Sequence, residues 1–363
     1  MNIKPAHLKH KKPIDFIRVN RHSLMTISVL LMMATASYYQ FFKEKKTPLW
    51  FEAKAASNLL ISLPEDDAPH AYKMEWWYYN GHLLTASGKK YSFHDSLFLI
   101  NSGMSQMVNH VSLTDHQSGH HYIDQRSTAG NLSVGTVNHF DFTTDHWSIA
   151  GGNGIDQLIA STPDFSFKLD LNSTQAPVFH GKDGVISLGT AGSSYYYSRT
   201  RMAITGTLNI NGQSEAVTGL AWFDHQWGDF STTQLSWDWF SLQLDNQADL
   251  MIYQLRDKTN QSILYTGSYT KDGNTEILSS NDFTLTQGQH WHSTKTDIDY
   301  PVAWKITIPS KNMALTTHSI INDSEFDASL TSYNVYWEGA IKVSGSHTGL
   351  GFMELNGYSN TKN

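Results

Sequence analysis

Alternation of apolar and polar residues constrains the fold of this chain more than any other feature of its sequence. The clearest case is FSFKLDL at residues 165–171, where every second residue is apolar. Because successive side chains of a strand point to opposite faces, this period of two predicts a strand with one buried face. Similar segments recur at residues 91–100, 139–143, 202–210, 240–244, 250–255, 304–308 and 340–343. The sequence therefore predicts an all-β protein.

The turns between these segments favour antiparallel pairing. Glycine-containing pairs separate them at short intervals, and Asn211-Gly212 stands directly between two apolar stretches. A type I′ hairpin turn needs positive φ at both central residues, which Asn and Gly tolerate best. No window shows a long helical period with proper caps, and the one weak candidate is residues 53–60. We therefore expect antiparallel meanders that close into barrels.

An aromatic strand followed by a turn and an apolar strand occurs twice in the chain. The first copy opens with WWYYNG at residue 76, and the second opens with WDWF at residue 237. A chain of 363 residues is also longer than a single core usually supports, since such cores stop growing near about 250–300 residues. We predict two similar β domains, residues 66–235 and residues 236–363, after a linker at residues 37–65.

The first 40 residues are typical of an export signal. Residues 1–22 carry six basic side chains and one acidic side chain, and an uncharged run follows at residues 23–40. Ala34 and Ala36 fit the small-x-small cleavage rule, so we predict a signal peptide over residues 1–36. The alternative is an uncleaved anchor over residues 23–40, which would hold the protein near a membrane. Under both interpretations the body is exported, to the periplasm or outside the cell.

Composition excludes several classes of function. The net charge of −7 includes +5 on residues 1–22, which leaves −12 on the remainder and disfavours nucleic-acid binding. The absence of cysteine excludes disulfides, thiolate metal sites and a cysteine nucleophile. The sequence has no nucleophile elbow and no phosphate-binding loop, and its histidine pairs lack the spacing of a metal site. We expect no metal and no cofactor.

Two segments, residues 74–84 and residues 219–240, place carboxyl groups among aromatic rings. These carboxyls belong to Glu75, Asp224 and Asp238. A carboxyl walled by rings is desolvated, which raises its pKa and can keep it protonated near neutral pH. Such an acid can protonate an apolar substrate, and the faces of the rings can stabilise a developing cation. We predict Asp224 and Glu75 as catalytic residues.

The aromatic residues of these segments, together with a tyrosine run and one histidine, are predicted to line the substrate pocket. The predicted lining residues are Trp76, Trp77, Tyr79, Tyr195, Tyr197, Trp222, His225, Trp227, Trp237 and Trp239. Structural alternatives stay open for each of them. Glu75 could be a strand carboxylate paired with Arg199 or Arg201, Asp224 could cap a loop, and the rings could belong to the core.

Four ordered motifs resemble a known family. They are EWWYYNGHL at residues 75–83, GLAWFDHQWG at 219–228, WDWFSLQL at 237–244 and YWEGA at 336–340. Together they resemble the AttH-like, hydroxyneurosporene synthase (carotenoid 1,2-hydratase) family, whose members are often labelled predicted secreted hydrolases. The resemblance implies two lipocalin-like (calycin) β-barrels and a hydrophobic ligand such as a lipid or isoprenoid. It also implies that Asp224 protonates a double bond, although tyrosines 195–197 stand where the carotenoid hydratases have His and Trp.

These observations lead to two functional hypotheses of different kinds. The first is an exported, cofactor-independent enzyme of the hydratase, hydrolase or isomerase type, with Asp224 as the acid and a lipid or isoprenoid-like molecule as substrate. The second is a non-catalytic lipid carrier of the lipocalin type, in which the carboxyls only orient a ligand head group. A structural role in an export machine is a third interpretation, for which the sequence offers no binding patch.

Overall fold

The structure, a computed structural model, describes residues 59–359 except 103, 131–134, 234 and 258. The predicted signal peptide and most of the predicted linker lie outside the described residues. The described part is almost entirely antiparallel β-structure, arranged as two large curled sheets, which confirms the predicted fold class. Among these residues, no helix is long and apolar enough to cross a membrane.

The first sheet contains thirteen strands, and its central strands are β1, β13 and β12. It follows the order β4-β3-β2-β1-β13-β12-β9-β8-β7-β6-β5, with β10 and β11 paired to one half of β12. The strands are β1 Met74–Thr85, β2 Lys90–Ser102, β3 Met104–Asp115, β4 His121–Ala129, β5 Gly135–Thr136, β6 His139–Thr144, β7 Trp147–Gly152, β8 Ile155–Ser161, β9 Phe165–Ser173, β10 Val178–Phe179, β11 Val185–Ser187, β12 Ser193–Ile210 and β13 Gln213–Gly228.

The second sheet contains ten strands and follows the order β17-β16-β15-β14-β25-β24-β22-β21-β18, with β23 paired to β24. Strands β19 and β20 form a separate pair, and three single-turn 3₁₀ helices span Glu65–Asp67, Gly189–Ala191 and Pro309–Lys311. The strands are β14 Leu235–Leu244, β15 Asp249–Asp257, β16 Ser262–Lys271, β17 Asn274–Leu278, β18 Thr284–Gln287, β19 His290–His292, β20 Asp299–Pro301, β21 Ala303–Ile308, β22 Met313–Ser319, β23 Glu325–Ala328, β24 Asn334–Gly345 and β25 Gly349–Asn356.

The predicted hairpin at Asn211-Gly212 is confirmed. It joins β12 to β13, and the two residues have φ values of 52° and 74°. The first sheet ends at Gly228 and the second begins at Leu235, close to the predicted division at residues 235 and 236. The described residues nevertheless belong to one compact unit, because the two sheets pack against each other. The predicted domain limits therefore stay a prediction.

Three apolar clusters account for most of the core. One lies within the first sheet, one lies within the second, and the third combines residues of both sheets. Strand β1 shows how the sequence divides between them: Trp77 and Tyr79 belong to the first cluster, whereas Tyr78 belongs to the third. Strand alternation thus gives β1 two buried faces, one toward its own sheet's interior and one toward the second sheet.

A buried ion pair also joins the sheets. The register of β12 shifts between Arg199 and Met202, and in this bulge the Arg201 Nε donates to Asp249 Oδ1 at 2.8 Å. Asp249 begins β15 in the second sheet. Arg199 instead donates to Asp67, in the segment that precedes β1. The suggested pairing of Glu75 with either arginine was wrong, because both guanidinium groups are taken by these aspartates.

Candidate active site

A cavity of about 690 Å³ lies between the two sheets, and we call it the inter-sheet cavity. Strands β1, β2, β3 and β13 form one wall, and β14, β15, β24 and β25 form the other. Its apolar lining comprises Met74, Trp76, Phe98, Ile100, Val108, Leu188, Phe230, Leu235, Trp237 and Trp239. Its titratable lining comprises Tyr78, His94, His110, Asp224, Tyr253, Tyr333, Tyr336, Glu338 and Glu354. Such a mixture suits a mainly apolar ligand with a few polar groups.

Among the carboxyls that line this cavity, Asp224 accepts the largest number of side-chain hydrogen bonds. Its side chain is buried, and its Oδ2 accepts a hydrogen bond from the Tyr196 hydroxyl at 2.7 Å. Its Oδ1 accepts two more, from the Ser198 hydroxyl at 2.5 Å and from the Trp222 indole at 2.7 Å. Burial raises the pKa of Asp224 to about 7, although the three donors oppose that rise. Near neutral pH this group can therefore exchange a proton.

The donors to Asp224 are themselves fixed by neighbours. The Trp239 indole donates to the Tyr196 hydroxyl at 3.0 Å, so a second-sheet residue orients this first-sheet tyrosine. The His180 Nε2 lies 2.6 Å from the Ser198 oxygen. Because Ser198 uses its only hydrogen on Asp224, the Nε2 of His180 must be the donor in this contact. Burial lowers the pKa of His180 to about 3, in agreement with a neutral ring.

Two further carboxyls, Glu338 and Glu354, face the cavity from the second sheet. They are direct partners across β24 and β25. The Tyr78 hydroxyl donates to Glu338 Oε1, whereas no described residue donates to Oε2. Burial and the neighbouring Glu354 raise the pKa of Glu338 well above its ordinary value. Burial also raises the pKa of Glu354 to about 7.

Two neutral histidines extend the polar part of the cavity. His110 lies 2.9 Å from both the Tyr336 hydroxyl and the Thr331 hydroxyl. His94 contacts two serine hydroxyls. Burial lowers the pKa of His110 to about 3 and the pKa of His94 well below its ordinary value. Near neutral pH both rings can therefore donate or accept one hydrogen bond but carry no charge.

The predicted site residues that belong to the first sheet are divided between its two faces, whereas Trp237 and Trp239 belong to β14 of the second sheet. On β13 the even-numbered residues face the cavity. Asp224 lines the cavity directly, and the Trp222 indole donates a hydrogen bond to Asp224. The cavity also receives Trp76, Trp237 and Trp239. The other predicted residues lie on the opposite face of the first sheet or pack against the apolar cluster within that sheet. They are Glu75, Trp77, Tyr79, Tyr195, Tyr197, His225 and Trp227.

Glu75 therefore does not share a cavity with Asp224, because an odd-numbered residue of β1 cannot face the same side as Tyr78. Its carboxylate joins a separate network with His70 and His225. Glu75 Oε1 lies 2.7 Å from His70 Nδ1 and 2.8 Å from His225 Nε2. Asp238, the third carboxyl of the aromatic segments, pairs with Arg256 and accepts the Tyr358 hydroxyl at 2.7 Å.

The network of His70, Glu75 and His225 has the donor set of a metal site, since its ligand atoms all lie within 4.8 Å of one another. Both ring nitrogens, however, already lie at hydrogen-bond distance from the same carboxylate oxygen. Burial disfavours charge on His70, but hydrogen bonds to Asp66 and Glu75 outweigh it and raise the pKa of His70 to about 9. In the described geometry Glu75 holds His70 and His225 together, and we call these three residues the ion-paired clamp. The expectation that the protein holds no metal stays a prediction.

Comparison with known proteins agrees with this architecture. The sequence model of the AttH-like family matches residues 54–358. The chain belongs to the AttH-like family. This membership confirms the resemblance carried by the four sequence motifs.

Two solved structures share the fold of this AttH-like protein. A Nitrosomonas europaea structure assigned to AttH is 27% identical, with a TM-score of 0.76, and the match covers 82% of this chain and 97% of the other. Kievitone hydratase from Nectria haematococca is 18% identical, with a TM-score of 0.69 and coverage of 84% and 94%. At that identity the second match shows the fold alone.

One curated protein is also similar in sequence. The dehydratase asqC of Emericella nidulans is 24% identical over 220 residues, which are 54% of this chain and 59% of the dehydratase. The match thus spans about three fifths of the relative's length.

Sequence reasoning missed Glu338 and Glu354 as members of the site. Glu338 lies inside the YWEGA motif, which served only to support the family resemblance. The signal that could have found it is the same one that identified Asp224, namely a carboxyl within two residues of a tryptophan in a strand. Nothing comparable marks Glu354, whose neighbours are Met353 and Leu355.

Proposed function

We propose that this protein is a hydratase-type enzyme, which adds water to, or removes it from, a carbon–carbon double bond of an apolar, lipid or isoprenoid-like molecule. The observation that carries the proposal is Asp224, a buried carboxyl with a pKa of about 7 on the wall of an aromatic cavity. The similarity to a dehydratase and to a hydratase supports this reaction class.

The cavity supplies what water addition to an alkene requires. A neutral carboxyl gives its proton to one alkene carbon, the π electrons form the new C–H bond, and the adjacent carbon becomes cationic. Rings of Trp76, Trp237 and Trp239 line the cavity, and their faces can stabilise that positive charge. The oxygen of a water molecule then bonds to the cation, and a carboxylate accepts the proton that this water loses. Dehydration is the same sequence in reverse.

The proposal includes no cofactor, because proton transfer and water supply every atom of the reaction. It also places the enzyme outside the cytoplasm, since residues 1–36 have the pattern of an export signal. A substrate dissolved in or derived from a membrane would suit both the apolar cavity and an N-terminal segment that stays at the membrane.

The proposal is tested by incubating the protein with farnesol or geranylgeraniol in ¹⁸O-labelled water and measuring label in the alcohol products by mass spectrometry. We expect Asp224→Asn to lower turnover by roughly 100-fold or more, the usual contribution of an acid or base group. The exposed Asp170 on β9 provides a matched Asp→Asn control, which should retain activity. Full activity in Asp224→Asn would contradict the proposal.

A lipid carrier is the second candidate, favoured by the volume and the largely apolar lining of the same cavity. A carrier would bind the isoprenoids without converting them. In that case Asp224→Asn should change their dissociation constants little, and neither wild type nor variant should incorporate label.

A further inference from the structure

We propose that Glu338 is the proton donor of the inter-sheet cavity and that Asp224 acts as the carboxylate that receives a proton from water. This inference rests on the proposed hydratase function. It reverses the role that sequence motifs suggest for Asp224, and it makes the active site depend on both sheets, because Asp224 lies on β13 and Glu338 on β24.

The hydrogen bonds of Asp224 favour its ionised form. Tyr196, Ser198 and Trp222 all donate to its two oxygens. An indole N–H can only donate, so Trp222 cannot turn to accept a proton from Asp224. Protonation would weaken these three bonds or force the two hydroxyl groups to reorient. Asp224 is therefore arranged as an acceptor.

Glu338 has the opposite arrangement. Its Oε1 accepts one hydrogen bond, from Tyr78, and its buried Oε2 has no donor among the described residues. A proton on Oε2 would leave the bond from Tyr78 intact, and Glu338 is one of the residues that line the cavity. Leaving Oε2 charged and unpartnered would instead incur the full cost of burying a carboxylate. Glu338 is therefore arranged as a donor.

The charges of neighbouring groups also distinguish Glu338 from Asp224. Glu354 lies directly opposite Glu338 in the β24–β25 register, and two adjacent carboxylates repel each other. Burial, together with Glu354, raises the pKa of Glu338 well above its ordinary value, whereas the three donors around Asp224 oppose the rise that burial causes in its pKa. Two carboxyls of one cavity whose hydrogen bonds favour opposite protonation states are suited to act as an acid and base pair.

The resulting step is balanced in atoms and charge. The Oε2 proton of Glu338 bonds to an alkene carbon, and the π electrons form that C–H bond. The water oxygen bonds to the resulting cation, and its released proton moves to Asp224. Return of one proton from Asp224 to Glu338 through solvent completes the cycle.

The assignment can be tested without substrate by infrared spectroscopy of the protonated carboxyl C=O stretch, near pH 8, about one unit above the pKa of Asp224. Variant-minus-wild-type spectra remove the contribution of other buried carboxyls. We expect Glu338→Gln to lose a protonated-carboxyl band that Asp224→Asn and the matched control Glu276→Gln, on the exposed strand β17, retain. Retention of that band in Glu338→Gln, or its loss in either of the other two variants, would overturn the assignment.

A second variant keeps the test independent of how well Glu338→Gln folds. Tyr78→Phe removes the donor to Glu338 Oε1 and leaves the carboxyl in place, so the band should move to higher frequency. An unchanged frequency would show that the proton belongs to another group and would overturn the proposal.

The pH dependence of kcat/KM separates failure of this inference from failure of the proposed function. If Asp224 is the base, turnover of farnesol should rise as the pH increases through about 7, and Glu338→Gln should lose roughly 100-fold or more. A fall through the same pH would make Asp224 the donor and overturn the inference while the hydratase function stands. Absence of turnover in wild type contradicts the proposed function, whatever the infrared spectra show.

Discussion

The ion pairs of His70 with Asp66 and Glu75 should make the stability of the fold depend on pH in a defined direction. His70 precedes β1, and its ring nitrogens lie 3.3 Å from Asp66 Oδ1 and 2.7 Å from Glu75 Oε1. Its side chain is only 17% exposed, so solvent screens these contacts weakly. The ring also stacks on Trp227 with the centroids 4.2 Å apart. We predict that replacing His70 by Asn removes a stabilising charge that exists only when the ring is protonated.

The size of this effect follows from the pKa of His70, which rises from 6.5 to about 9 on folding. A group whose pKa is raised by folding stabilises fully below its unfolded value, and this contribution is lost as the pH rises through the folded value. This rise in the pKa of His70 corresponds to roughly 3 kcal/mol of unfolding free energy. The loss should occur between about pH 6.5 and about pH 9.

Urea unfolding of wild type and His70→Asn at several pH values measures this contribution. The two unfolding free energies should differ most near pH 6 and should converge above about pH 9. Subtraction is necessary because buried carboxyls such as Asp224 also titrate in this range, equally in both proteins. His318, exposed on β22, gives a matched His→Asn control. A difference that stays constant across this pH range, or grows with pH, would refute the reasoning.

Two further predictions concern contacts that the fold requires. Arg201→Met should lower the unfolding free energy by roughly 3–5 kcal/mol in urea titrations, because it leaves the buried carboxylate of Asp249 without its charged partner. Recovery of stability when Asp249 is also replaced by Leu would confirm the cause, whereas an unaffected single variant would contradict it. Gly351→Ala should lower the melting temperature, since the added Cβ would lie 2.1 Å from the carbonyl oxygen of Ser241 on the adjacent strand. Such overpacking typically costs roughly 1–3 kcal/mol, and a melting temperature equal to wild type would show that the strands can separate to accommodate the methyl group.

Local sequence patterns predicted several strands and one hairpin of this protein. Alternation in segments such as residues 165–171 identified strands, and Asn211-Gly212 identified a hairpin, because both signals depend on backbone geometry over a few residues. The two-domain, lipocalin-like fold was implied by the family resemblance of the motifs rather than by local geometry. Asp224 could be singled out because it lies between Trp222 and Trp227 within one short segment.

The composition of the site could not be predicted in this way. Alternation shows that Glu75 and Tyr78 face opposite sides of β1, but it does not show which side meets the second sheet. The face of β1 that meets the second sheet is decided by how the two sheets pack. This packing places Glu75 next to His225, on the face away from the cavity, and places Tyr78 beside Glu338.

Glu338 illustrates the physical reason most directly. It follows Asp224 by more than a hundred residues in the chain, yet both line one cavity. Its pKa depends on burial and on Glu354, which is brought opposite it by the β24–β25 pairing. The sequence determined which residues could carry a proton, because that is a property of each side chain. Tertiary structure decided which of them share a cavity, because desolvation and charge repulsion act through space rather than along the chain.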